Sequence, residues 1–217
     1  MHPLGTLTSR ERIKLAARQE LSDSGILGLR MEVVAEKAKV SVPLIYKYYK
    51  NREGLLTEVL SELYDGDSYE KLAAYVEVFE QMESPTIDDI AVLFATVQQG
   101  FRSLDRWRRL QILAASAEIP ELRERLAAIH LDQQQRVVDF LEIAIRAVGS
   151  KNPETTEESI SAAVALALPL ASLIMTQSFG SVLDDLVDYE DREAAAEDMK
   201  VLLRLIINAV LTTGNKS

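Results

Sequence analysis

"KVSVPLIYKYYKN", Lys39 to Asn51, sets three tyrosines beside Lys39, Lys47 and Lys50, with Pro43 near its start. Ser41 is a good N-cap and Pro43 falls in a first turn, where a missing N–H costs nothing, so a helix is predicted from Ser41. A second short helix, at about 31–38, precedes it, with Val33, Val34 and Ala35 expected inward. Two short helices separated by three or four residues form a helix-turn-helix pattern, although core helix pairs can look alike. The second helix of such a pair fits the major groove of DNA. On it, Leu44, Ile45 and Tyr49 are expected to hold the scaffold, while Val42, Pro43 and Lys47 face base edges. Tyr46, Tyr48, Lys50 and Arg52 are expected to reach phosphates: cations there release counterions, and tyrosine hydroxyls donate to phosphate oxygens.

A net charge of −10 over 217 residues argues against a polyanionic partner, but its distribution argues for one. Residues 1–52 hold ten basic and five acidic side chains, net +5, and residues 53–217 hold fourteen and twenty-nine, net −15. That asymmetry suggests a basic module that meets a polyanion, joined to an acidic body that does not. The chain has no Cys, which removes disulfides, thiolate metal sites and thiol nucleophiles. Its only histidines are His2 and His130, and no Gly-rich phosphate loop or His-Glu-x-x-His pattern occurs, so neither an enzyme nor a bound cofactor or metal is expected. The first residues carry no apolar run of the signal-peptide kind, and Ala162–Met175 is only fourteen residues long. A cytoplasmic protein with no membrane partner is the expectation.

The rest of the chain also reads as helix. Thr8 and Glu11 form a capping box, Ile13, Ala16, Ala17 and Leu21 share a face, and Gly25 is expected to stop the first helix. Asn51 caps a fourth helix through Leu63, with Gly66 just beyond it as a pivot or a simple cap. Helices are then predicted at about 69–83, from Ile87 through Leu104, at about 105–118, from Pro120 to Gly149, at about 157–179 and at about 191–213.

The segment from Ser9 to Leu56 resembles the N-terminal domain of the TetR/AcrR family of transcriptional regulators. The resemblance is carried by Gly25, Val34-Ala35, "AKVS" at 38–41, "YKYY" at 46–49, Arg52 and Leu55-Leu56. Two positions depart from the family pattern. Lys39 stands where the family usually has Gly in the turn, and Arg30 where Ser or Thr usually caps the second helix. Both are counted with Ser41 among the candidate DNA-binding residues, Lys39 as an added phosphate contact if the turn needs positive φ.

The resemblance implies an all-α fold: a three-helix helix-turn-helix domain at 1–52, then a larger helical effector-binding and dimerisation domain at 53–217. It implies a homodimer on an operator in double-stranded DNA, with a small-molecule effector and repression as the usual mode. Independently, the apolar stripes of the last two helices suit a four-helix bundle across a two-fold axis, built from Val164, Leu168, Ala171, Met175, Leu202, Leu203, Ile206 and Val210. Candidate pocket residues are Phe94, Phe101, Trp107, His130, Met175 and Gln177, and the acidic body suits a cationic or neutral effector better than an anion. The competing reading is an all-helical interaction or adaptor module that no longer binds DNA.

Overall fold

The structure is a computed structural model and describes residues 7–66, 76–79, 81–90, 92, 103–151, 153, 155–180, 201, 204 and 205. Among these residues every regular element is a helix. The predicted helices at 69–83 and 191–213, and the run from Ile87 to Leu104, fall largely outside the described residues. So do Phe94, Phe101, Leu202, Leu203, Ile206 and Val210.

The first helix spans Ser9–Gly28 (α1) and opens on the expected capping box: the Glu11 amide donates to Thr8 Oγ1 at 3.3 Å, and the Thr8 amide donates to Glu11 Oε2 at 2.7 Å. Gly25 breaks the helix with φ 72° and ψ 177°, but the chain makes one further helical turn instead of stopping there. Met31–Ala38 (α2), Val42–Tyr49 (α3) and Arg52–Asp65 (α4) follow. Asn51 caps α4 by accepting from the Gly54 amide at 2.7 Å, and Gly66, φ 54°, follows its end in the left-handed conformation.

By packing, the chain divides into two compact units. The first comprises Met1–Asp65 with Gln111–Ile129, so α4 packs with α1–α3, whereas the expected functional boundary lies after Arg52. Its core is Ile13, Ala17, Val34, Ile45, Leu55 and Val59, each fully buried, joined by Leu122. Burying an Ile, Leu or Val side chain contributes roughly 1.5–3 kcal/mol, so these residues supply the main cohesion of three short helices that would not form alone. Val33, expected inward, is only half-buried; Met31, Val34, Ala35 and Ala38 form the inner face of α2.

The second unit comprises Gly66–Leu110 and His130–Ser217. Ser103–Ser116 (α5) and Pro120–Lys151 (α6) contribute residues to both units. The core of the second unit joins Val137, Phe140, Leu141, Ala144 and Ile145 of α6 to Phe79 and Ile90, with Phe79 and Phe140 edge to face at 6.1 Å. Glu157–Val164 (α7) and Ala167–Gly180 (α8) complete it with Ile160, Ala163, Ala171 and Ile174.

Two expectations are corrected here. The single helix expected over 157–179 is interrupted by a turn at Ala165 and Leu166. Pro169 explains the break: it has no N–H for the carbonyl four residues back and its ring would clash with that carbonyl, so it sits in the first turn of a new helix. The segment Glu157–Gln177 is long and apolar enough by length and composition to cross a membrane, yet its inner face packs into this core. Gly149 also does not end α6, which continues to Lys151. A Cβ at Gly149 would lie 2.6 Å from Ile160 Cγ1, so the glycine serves close contact with α7 rather than termination. Gly149→Ala therefore loses stability by about 1–2 kcal/mol through overpacking, despite alanine's better helix propensity; thermal unfolding of the variant checks the sign.

Candidate nucleic-acid interface

The turn between α2 and α3 is built by Lys39. Its φ of 54° and ψ of 49° are left-handed, and the Lys39 and Val40 amides donate to the Glu36 and Ala35 carbonyls at 3.1 and 3.0 Å. This pair of bonds is the Schellman arrangement, in which glycine is the usual left-handed residue. The turn therefore needs positive φ, and a lysine supplies it. Arg30 and Ser41 occupy the N-cap positions of α2 and α3 but neither side chain makes a capping hydrogen bond. The backbone carbonyl of Ser41 receives the Leu44 and Ile45 amides instead.

On α3, Ile45 and Tyr49 are buried and Leu44 is half-buried, as the scaffold reading requires. Tyr46 and Tyr48 are each 44% exposed, Pro43 and Lys47 are exposed, and Val42 is half-buried. The Tyr49 ring lies 5.8 Å beneath the Arg10 guanidinium, its hydroxyl donates to the Arg10 carbonyl at 3.4 Å, and burial pushes its pKa up.

Arg52 has a different task from the expected phosphate contact. Its Nε donates to the Leu29 carbonyl at 3.0 Å, and its Nη2 donates to those of Ile26 and Leu27 at 2.7 and 3.2 Å. These are the carbonyls left unpaired where α1 ends, so the guanidinium acts as a cap held by α4. No local signal in the sequence gives this pairing, because the acceptors lie more than twenty residues upstream.

The cations of the module divide into two sets. On α1, Arg10 pairs with Glu58 at 2.9 Å, and Lys14 and Arg18 pair with Glu62 at 2.6 and 2.8 Å. Arg125 adds a second cation to Glu58 at 3.1 Å. Lys37 of α2 bridges Glu20 and Asp23, both at 2.7 Å. By contrast, Lys39, Lys47 and Lys50 are exposed and make no ion pair among the described residues. Arg12 and Arg30 also make no ion pair among the described residues, so unneutralised charge remains on α1 and before α2, but the module's unpaired lysines are gathered on α3 and at its two ends.

Trp107 and His130 are half-buried, Gln177 is exposed, and Met175 is buried in the core of the second unit. Among the proposed interface residues, Ala171 and Met175 also turn into that core, on the stripe of Ala167, Leu170 and Ile174. Leu168 is exposed and Val164 half-buried. The sequence reading missed a solvent-open groove of about 560 Å³ in the second unit, lined by Ser84–Asp88, Val148, Lys151 and Arg204, two of whose lining residues, Arg204 and Asp88, pair at 2.6 Å. Thr86 and Asp89 form a capping box at the helical run beside it, the Asp89 amide donating to Thr86 Oγ1 at 3.3 Å and Asp89 Oδ2 accepting from the Thr86 amide at 2.8 Å, which accounts for this carboxylate structurally.

Residues 13–59 match the family model for bacterial regulatory proteins of the tetR family. That segment is similar to the N-terminal domain of tetR-family regulators, and the helical fold of the described residues is similar to that of the solved structures that follow. Among solved structures, the multidrug binding protein EbrR complexed with imidazole is 16% identical with a TM-score of 0.59, over 92% of this chain and 95% of that one. A protein from Mesorhizobium loti MAFF303099, described as a tetR-family transcriptional regulator, is 14% identical with a TM-score of 0.58 over 98% of both chains. A protein from Saccharomonospora viridis, described as a transcriptional regulator and solved with choline, is 19% identical with a TM-score of 0.56 over 92% of this chain and 95% of that one. No curated protein matches the chain.

The carboxylates that neutralise α1 and α2 make the module acid-sensitive. Hydrogen bonds from Lys37 hold Glu20 and Asp23 below their ordinary values of 4.5 and 3.8. Burial pushes Glu62 up, but Lys14 and Arg18 outweigh it and leave it lowered. A depressed carboxylate contributes stability that is complete above its unfolded pKa and lost as pH falls through its folded value. The melting temperature therefore falls as pH drops below about 4.5, the ordinary glutamate value. In Lys37→Met that acid-side fall is shallower and the neutral-pH melting temperature lower, which melting curves across the acid range measure.

Proposed function

We propose that this chain is a ligand-responsive transcriptional regulator that binds a palindromic operator as a homodimer and represses until a small molecule binds its helical body. The observation that carries the reading is the division of charge: Arg10, Lys14, Arg18 and Lys37 are paired inside the module, while Lys39, Lys47 and Lys50 stay exposed and unpaired on and beside α3. An internal interaction helix has no need of such a set, whereas a helix in the major groove does.

In this reading, Lys47 reads a guanine edge through its O6 and N7, and Val42 and Pro43 meet thymine methyls. Lys39, Lys50, Tyr46 and Tyr48 hold phosphates, with Arg30 and Ser41 at the edges of the contact. Arg52 acts indirectly, by fixing the end of α1. Dimerisation uses the outward face of α8 around Leu168 and Leu173, both exposed, with Val164 beside it. Two copies related by a two-fold axis present recognition helices about 34–36 Å apart, which demands an inverted repeat. The effector, cationic or neutral to suit the acidic body, binds better to the dimer that cannot span both half-sites and shifts the population off the operator.

Selection of random duplex DNA by the purified protein, followed by salt titration of the recovered site, tests this. Recovery of an inverted repeat bound steeply more weakly at high salt is the expected result; failure to enrich any duplex, with and without cell-extract metabolites, removes the reading. Lys47→Ala relaxes specificity at one base position in each half-site, which repeating the selection with the variant reads directly. Lys39→Gly moves two quantities in opposite directions. It raises the melting temperature by relieving the left-handed lysine, and it weakens binding to all duplexes while lowering the salt slope by about 0.9 for each phosphate no longer neutralised.

A further inference from the structure

The chain passes from α3 to α4 in only two residues, Lys50 and Asn51. Lys50 has φ 63° and ψ −52°, and the Asn51 amide donates to the Tyr49 carbonyl at 2.7 Å, two residues back. That is a γ-turn with positive φ at its centre, a rare and strained conformation for any residue with a side chain. The Lys50 amide still closes the last turn of α3 on the Tyr46 carbonyl at 2.8 Å, so the strain begins where the helix ends.

Two further contacts hold the turn shut. Asn51 Oδ1 accepts from the Gly54 amide at 2.7 Å and starts α4. Gly54 itself lies against the carbonyl that closes the γ-turn: a Cβ there would stand 2.1 Å from Tyr49 O and 3.2 Å from Tyr49 C. Only glycine allows that approach without moving the end of α3. Backbone strain persists where surrounding contacts over-determine it, and here a hydrogen bond, a cap and a glycine contact converge on one carbonyl and its neighbour. Tyr49, the last residue of α3, is itself buried, with its ring 5.8 Å from the Arg10 guanidinium.

We propose that Lys50, Asn51 and Gly54 form a lock that fixes where α3 ends against α4, making Lys50 and Gly54 positioning residues for base recognition in addition to any phosphate contact of the lysine. The proposal rests on the DNA-binding reading for its consequence, but the lock itself is measurable without DNA. Base-edge contacts need sub-ångström placement, whereas phosphate contacts tolerate small shifts, so loosening the lock lowers discrimination before it lowers general affinity.

The test compares three variants of the full chain: Lys50→Ala, Lys50→Gly and Gly54→Ala. The readouts are melting temperature, amide exchange of α3, and binding to the selected duplex against a shuffled duplex of equal length. Lys50→Ala removes the charge but keeps the strained turn, so both duplexes weaken equally. Lys50→Gly removes the same charge and relieves the strain; its melting temperature rises by about 2–4 °C. Its α3 amides nevertheless exchange several-fold faster, and its ratio of selected to shuffled affinity falls roughly tenfold below that of Lys50→Ala, the equivalent of about one base contact. Gly54→Ala lowers both the melting temperature and the ratio. Loss of discrimination with stability moving in opposite directions separates positioning from mere folding. Equal ratios in Lys50→Gly and Lys50→Ala overturn the proposal. Should the unmodified protein select no duplex, the DNA-binding reading fails while exchange still decides the lock: α3 exchange that is unchanged or slower in the more stable Lys50→Gly overturns it.

Discussion

Glu58 and Glu62 of α4 take the cations of α1 into ion pairs, and the character of the basic module depends on that pairing. Each exposed pair contributes little by itself, about 0–1 kcal/mol, so their importance is not chiefly stability. It is distribution. Without these carboxylates, Arg10, Lys14 and Arg18 would join Arg12 as unpaired cations on α1, and a polyanion would have competing places to dock. With them, the module's lysines that remain unpaired lie on and beside α3. The same two glutamates also bring α1 onto α4, and through Glu58 they hold Arg125 at the start of α6. Net charge therefore misleads for this chain: −10 overall coexists with a local surface whose lysines have no carboxylate to meet.

Backbone carbonyls are a second organising element, and arginines attend to them. Arg52 collects three carbonyls at the end of α1, and Arg123 donates to the Ser116 and Ala117 carbonyls where α5 ends. A helix that ends beside other helices leaves carbonyls that water reaches poorly, and a planar guanidinium can satisfy two or three at once. The shortness of the connections follows from this. α1 can end in an irregular turn around Gly25 because Arg52 supplies what a regular C-cap would have supplied. Arg52 and Arg123 thus serve as scaffold, a task that suits the planar fork of the guanidinium.

The first four helices were legible because their signals are local. The Thr8–Glu11 box, Pro43 in a first turn, the left-handed residue at 39 and the Asn51 cap all act within four residues, and each appears in the structure. What the sequence concealed depends on partners distant along the chain. Arg52 reads as a phosphate ligand until the carbonyls of 26, 27 and 29 are seen beside it. Gly149 reads as a helix stop until Ile160 is found against it. Ala171 and Met175 read as interface because both faces of α8 are apolar, and periodicity alone cannot choose which face meets the chain's own core. Apolar helices at the surface of one chain and in the core of another share one pattern.

Lys39 and Lys50 are the non-glycine residues with positive φ among those described, and they bracket the same helix, α3. Each costs the folded chain roughly 1 kcal/mol or more relative to glycine. Neither side chain adds an ion pair that offsets that cost, since both are exposed and unpaired among the described residues. One such strained position is ordinary in a chain of this length. At both ends of the one helix whose lysines are unpaired, strain points outward, to an anionic surface long enough to touch both ends of α3 at once. A duplex groove flanked by two phosphate backbones has that span and that charge.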